Sequence, residues 1–73
     1  MFGIRLNKIR HERGFTAQQM ADHLNMEVRS YRNYESGHRQ PAYAVLVEIA
    51  DYLDVSLDYL LGRDEFYEKH FRP

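Results

Sequence analysis

The stretch TAQQMADHLNMEVRSYRNYESG, Thr16 to Gly37, decides the fold of this chain. Thr16 is a favoured N-cap residue, and Gln19 three positions later completes a capping box. Phe15 before the cap and Met20 after it are spaced as a hydrophobic staple. Met20, Ala21 and Leu24 then line one apolar face, and Asn25 tolerates the left-handed backbone that ends a helix. Only Asn25, Met26 and Glu27 separate this helix from the next, Val28 to about Ser36, which Gly37 stops. So brief a connection forces a sharp corner between two helices. Ala21 suits that corner, because a larger side chain would hold the two helices apart. In the second helix Tyr31 and Tyr34 share one face, and the long polar donors Arg29, Arg32 and Asn33 point away from it.

Working outward, the spacing predicts three further helices and no strand. Phe2, Leu6, Ile9 and Arg13 mark one face of a first helix over about 3–13, with Gly14 as its C′ glycine. After a loop from His38 to Pro41, Leu46, Ile49, Ala50 and Leu53 form an i, i+3, i+4, i+7 stripe over about 42–53. Asp54 ends that helix. Ser56 caps a short fifth helix, 57–61, which Gly62 stops. The expected class is therefore all-α, with one domain over 1–62. Residues 63–73, RDEFYEKHFRP, form a charged tail with three aromatics. An extra helix, a dimer contact and disorder are all open for it.

The totals narrow the function classes. A chain of 73 residues suggests one domain with a modest core. Its hydrophobic share of 44% is that of a folded chain, not a disordered one. It has no cysteine, so it has neither a disulfide nor a thiolate for metal binding or attack, and it suits a reducing cytoplasm. No run approaches the roughly 18 apolar residues of a membrane span. Charges arrive too early for a secretion leader, so a cytoplasmic protein is expected. The net charge is −1, but it is unevenly spread. Residues 1–40 hold seven Lys/Arg against four Asp/Glu, and residues 41–73 hold three against seven. A basic half facing an acidic half points to a polyanion-facing side.

With these pieces in place, RHERGFTAQQMADHLNM, YRNYESGHRQP and VLVEIADYLDVSLDYLLG resemble, in content and spacing, the lambda-repressor-like, Cro/C1-type helix-turn-helix domain (the XRE family) of bacterial and phage regulators. The resemblance runs from Phe15 to Gly62. It implies five helices, the second and third forming a DNA-binding helix-turn-helix. It also implies an ion pair of Arg10 with Glu35 between the first and third helices. Some positions depart from the family pattern. Asn25 and Asp54 stand where glycine is common, Glu27 where Ser or Thr caps the third helix, Ala17 where Gln is common, and His38 where Lys is common.

The resemblance assigns roles that base chemistry supports. The reading side chains of a recognition helix lie near its N-terminal end. Val28, Arg29, Arg32 and Asn33 occupy that part of the third helix and are expected to read bases. Arg suits guanine O6/N7, Asn suits adenine N6/N7, and Val can touch a thymine methyl. Ala17 and Gln18, at the N-terminus of the second helix, are expected to meet phosphates through free N–H groups. His38 and Arg39, just past the third helix, are expected to meet phosphates too. Tyr31 and Tyr34 are expected to pack the third helix onto the core.

Catalytic motifs are missing from the sequence. HERG lacks the second histidine of HExxH, His11, His23, His38 and His70 are scattered, and no glycine-rich phosphate loop exists. Neither an enzyme, a cofactor nor a metal is expected. The expected function is a sequence-specific transcriptional regulator, most often a repressor in this family. It would act as a homodimer on a partly palindromic operator of double-stranded DNA, with the fifth helix and tail as the dimer contact. The competing destination for the tail's aromatics is the chain's own core. A rival function is an antitoxin-like interaction module with a toxin as protein partner. Another is a helix-turn-helix used only for protein contacts, which DNA binding without salt dependence would indicate.

Overall fold

The computed structural model describes residues 2–63, and within them the fold is all-helical. The elements are α1 Phe2–Glu12, α2 Ala17–His23, α3 Val28–Ser36, α4 Tyr43–Leu53 and α5 Leu57–Leu60. Every boundary lies within about one residue of the one expected from the sequence. Residues 64–73, and with them the tail's part of the dimer contact expected from the fifth helix and tail, lie outside the described residues.

The turns are built by one repeated device. After α1 the N–H of Gly14 bonds the His11 carbonyl and that of Phe15 bonds the Arg10 carbonyl. After α2 the same pair of bonds runs from Asn25 to Asp22 and from Met26 to Ala21. After α4 it runs from Asp54 to Asp51 and from Val55 to Ala50. These are Schellman closures, which satisfy the last helical carbonyls and require a left-handed residue at C′. Asn25 at φ 58° and Asp54 at φ 57° supply that conformation without glycine, at the residue type that tolerates it best. The start of α2 is equally well defined. The Thr16 hydroxyl accepts the Gln19 N–H at 3.0 Å, and the Gln19 side-chain oxygen accepts the Thr16 N–H at 2.8 Å.

The core gathers Leu6 and Ile9 of α1, Met20 and Ala21 of α2, Tyr31 of α3, Ile49 and Leu53 of α4 and Leu60 of α5, all essentially inaccessible to solvent. α1 packs across α3 and α5, α2 against α3, and α4 against α5. A column of rings adds a second seam. Tyr52 of α4 is sandwiched between Phe15, at 4.6 Å between centroids, and His23, at 3.8 Å. Because Phe15 precedes α2 and His23 is its last residue, this stack ties both ends of that helix to α4. Arg5 ties α1 to α5, donating through Nε to the Tyr59 carbonyl and lying 4.6 Å over the Tyr59 ring.

One expectation fails. Arg13 does not share the buried face of α1. It follows the last helical residue, is exposed, and reaches the Asp54 carbonyl at 3.4 Å. Arg10 is the arginine that α1 buries.

Gly3 has a role that the sequence pattern does not reveal. A Cβ there would sit 2.3 Å from the Glu35 carbonyl oxygen and 2.8 Å from that of Tyr34, so its absence sets how closely α1 approaches α3. Glycine inside a helix ordinarily costs about 1 kcal/mol relative to alanine. Here the sign should reverse. Gly3→Ala is expected to destabilise by about 1–3 kcal/mol, the usual cost of overpacking, because backbone must move to admit the methyl group. Urea denaturation measures this, and a gain in stability would show that α1 is not held so tightly.

Candidate nucleic-acid interface

The two faces of α3 differ in chemistry because the helix repeat separates them. Tyr31 and Tyr34, three apart, are buried in the core with their rings edge to face. Val28, Arg29, Arg32 and Asn33 lie on adjacent turns of the remaining surface, since residues four apart are neighbours on a helix. Arg29 and Arg32 are exposed, Val28 and Asn33 half-buried. Among the described residues, no carboxylate pairs with Arg29, Arg32 or Arg39.

The phosphate-facing residues expected from the sequence stand at the start of α2 and just past the end of α3. The Ala17 methyl is buried, and the N–H groups of Ala17 and Gln18 take no part in the capping box. They are among the first N–H groups of a helix, which have no intrahelical acceptor. The Gln18 side chain runs along α2 and donates to Asp22 at 2.9 Å. Beyond α3, Gly37 takes φ 86° and turns the chain back on itself. The Arg39 N–H then bonds the Asn33 carbonyl at 3.2 Å, which pins the loop to the end of α3 and leaves the Arg39 side chain exposed. His38 is also exposed, with Nδ1 2.7 Å from the Ser36 hydroxyl.

What holds α3 at its angle is a polar node behind it. Arg10 Nε donates to Glu35 Oε2 at 2.6 Å, and Arg10 Nη2 to Oε1 at 3.2 Å. Asn7 donates to Oε1 at 2.7 Å, and the Tyr31 hydroxyl to Oε2 at 2.5 Å. Arg10 Nη1 donates to the Phe15 carbonyl at 2.9 Å, which brings in the entry to α2. Burial by itself would raise the Glu35 carboxyl. The hydrogen bonds from Arg10, Tyr31 and Asn7 outweigh it and hold the group below its ordinary value. Its hydrogen bond to Glu35 raises Arg10 in turn. Burial, then the bond to Glu35, raises Tyr31, which stays a donor throughout the physiological range. Asn7 and the Tyr31 hydroxyl carry a weak sequence signal. Asn7 is three residues before Arg10, and Tyr31 four before Glu35, so each shares a helix face with one partner of the pair.

Comparison with known proteins agrees with this architecture. The helix-turn-helix family model matches residues 6–60. An uncharacterized HTH-type transcriptional regulator of Bacillus subtilis, YqaE, is 46% identical over 72 residues, covering 99% of this chain and 61% of that protein. ImmR, an HTH-type transcriptional regulator of the same organism, is 37% identical over 68 residues, 93% of this chain and 54% of that protein. A crystal structure of a transcriptional regulator from Listeria innocua superposes with a TM-score of 0.77 at 32% identity, over 85% of this chain and 58% of that one. The chain belongs to the Cro/C1-type helix-turn-helix family. It spans little more than half the length of these relatives.

The node yields a pH prediction. The folded carboxyl of Glu35 lies below its ordinary 4.5. Its stabilisation is therefore complete above pH 4.5 and is lost as the pH falls through the folded value. Glu35→Gln should destabilise by about 3 kcal/mol at pH 7, because a nearly buried Arg10 loses its counter-ion. The gap to the unaltered chain should narrow as the pH falls below 4.5 and through the lowered folded value. Denaturant titrations across that range check this, and a gap independent of pH would exclude a charged Glu35 in the fold.

Proposed function

We propose that this chain binds double-stranded DNA as a sequence-specific transcriptional regulator, acting as a repressor, with α3 in the major groove. The observation that carries this reading is the pair of unneutralised arginines, Arg29 and Arg32, set beside Asn33 on the exposed face of a helix whose other face is locked into the core. Such a face offers donors to guanine and adenine edges, while Val28 offers an apolar contact for thymine. Ala17, Gln18, His38 and Arg39 would take phosphates beside the groove, and such contacts set register. The repressor RstR of a cryptic phage in Vibrio cholerae, 48% identical over 48 residues, favours repression over activation.

The short reach of a single helix favours a homodimer on a partly palindromic operator. One recognition helix spans too few base pairs to define a unique site. Two, about 34 Å apart, read successive turns of the same groove face. The setting would be the cytoplasm of a bacterium, where such an operator is accessible. Selection of bound sequences from random duplex DNA tests the reading. A palindromic consensus supports it, and recovery of unselected sequences would reject it.

Two substitutions separate base reading from phosphate attraction. Arg29→Ala is expected to cost about 1–3 kcal/mol on the selected site and to relax preference at one base position per half-site. Equal losses on selected and random duplexes would reduce Arg29 to a phosphate contact. Arg39→Ala should weaken all duplexes alike and lower the salt slope by roughly one for each phosphate that goes unneutralised. A changed base preference at an unchanged slope would contradict that assignment.

A further inference from the structure

Glu27 stands at the reading end of α3 with a chemistry that the site described above does not use. As the N-cap it is firmly rooted. Its backbone is extended at φ −75° and ψ 147°, and its carbonyl accepts the Tyr31 N–H at 3.1 Å. The approach to it is fixed by Asn25 at φ 58° and by the Met26 N–H on the Ala21 carbonyl at 3.0 Å. A serine or threonine in that place would spend its oxygen on the helix's own N–H groups. The Glu27 side chain makes no capping hydrogen bond, is exposed, and has no ion-pair partner among the described residues.

An ionised carboxylate only accepts hydrogen bonds. Next to Val28 and Arg29, it is repelled by phosphates and by the acceptor atoms of guanine and by thymine O4. The donors in the major groove are the amino groups of cytosine and adenine. Adenine sets the acceptor N7 beside its amino group, whereas cytosine offers its amino group with no neighbouring acceptor of its own. We infer that Glu27 is a specificity-determining residue that accepts a hydrogen bond from a cytosine amino group, beside the base contact of Arg29. This rests on the insertion of α3 into the major groove proposed above. Glu27 then acts in two directions, rewarding cytosine at one position and weakening binding wherever cytosine is missing.

Sequence selection from random duplexes with the unaltered chain, Glu27→Gln and Glu27→Ala tests this. The unaltered chain should choose cytosine at one position in each half-site, by roughly tenfold over the other bases. Glu27→Gln should move that choice towards adenine, which an amide can contact through both N6 and N7. Glu27→Ala should abolish the choice, and both variants should hold random duplex more tightly than the unaltered chain at equal salt. The same base preferences in all three proteins would overturn the inference, even if the variants melt at lower temperature, since a merely structural role at the helix terminus moves stability alone. An unaltered chain that selects a consensus without cytosine overturns it too, while leaving DNA reading by α3 intact. An unaltered chain that selects nothing removes the proposed function itself.

Discussion

A carboxylate with only about a tenth of its side-chain surface in water must be matched donor for donor, and Glu35 is. Four hydrogen bonds from three residues converge on its two oxygens. Remove one donor and an ionised oxygen is left desolvated, which costs more than the bond returned. The node therefore admits one arrangement of its parts. Asn7 and Arg10 come from α1, Tyr31 and Glu35 from α3, and the Phe15 carbonyl from the entry to α2. Three elements are positioned by one charge pair. Among the described residues, no buried side-chain nitrogen or oxygen lacks a partner.

Around this node, sterics and ring packing do the remainder. Gly3 lets α1 come to rest directly on the last turn of α3, and Ala21 lies at the corner of α2 and α3 with no exposed surface. The Phe15–Tyr52–His23 stack links α2 and its entry to α4. The outcome is that α3 is held on its inner side by packing from α1 and α2 and by hydrogen bonds from α1. A helix that could roll would smear Arg29, Arg32 and Asn33 over several orientations, and base discrimination depends on aligned donors. Stability and the proposed recognition would thus be joined through α3. Its inner face, Tyr31, Tyr34 and Glu35, fixes the direction in which its outer face points.

Much of this is legible in the sequence because the local signals agree. Thr16 with Gln19, the left-handed residues Asn25 and Asp54, and the glycines at 14, 37 and 62 mark where helices begin and stop. Each works through backbone geometry that one residue type settles on its own. The outward set on α3 is equally legible, since Tyr31 and Tyr34 define the opposite face by spacing alone. The failures arise where the pattern is silent on tertiary contact or on where a helix stops. Gly3 matters because a carbonyl thirty-odd positions away lies against it, and nothing in its neighbours signals that approach. Periodicity places Arg13 on the buried face because the pattern runs on past the point where α1 stops. Asn7 and the Tyr31 hydroxyl share a helix face with Arg10 and Glu35, a signal too weak to show that tertiary packing brings them into the node. The Arg10–Glu35 pair follows from resemblance rather than from spacing, for the same reason.

The proposed division of α3 into a locked inner face and a reading outer face can be tested in one experiment. Titrating the isotopically labelled chain with a selected duplex, and following amide and side-chain resonances, reports both faces together. The largest shifts should fall on Val28, Arg29, Arg32 and Asn33, with a second group at Ala17, Gln18, His38 and Arg39. The Arg10 Nε–H resonance should stay in place, marking an undisturbed node. Shifts centred on α4 and α5, with α3 unaffected, would contradict the account.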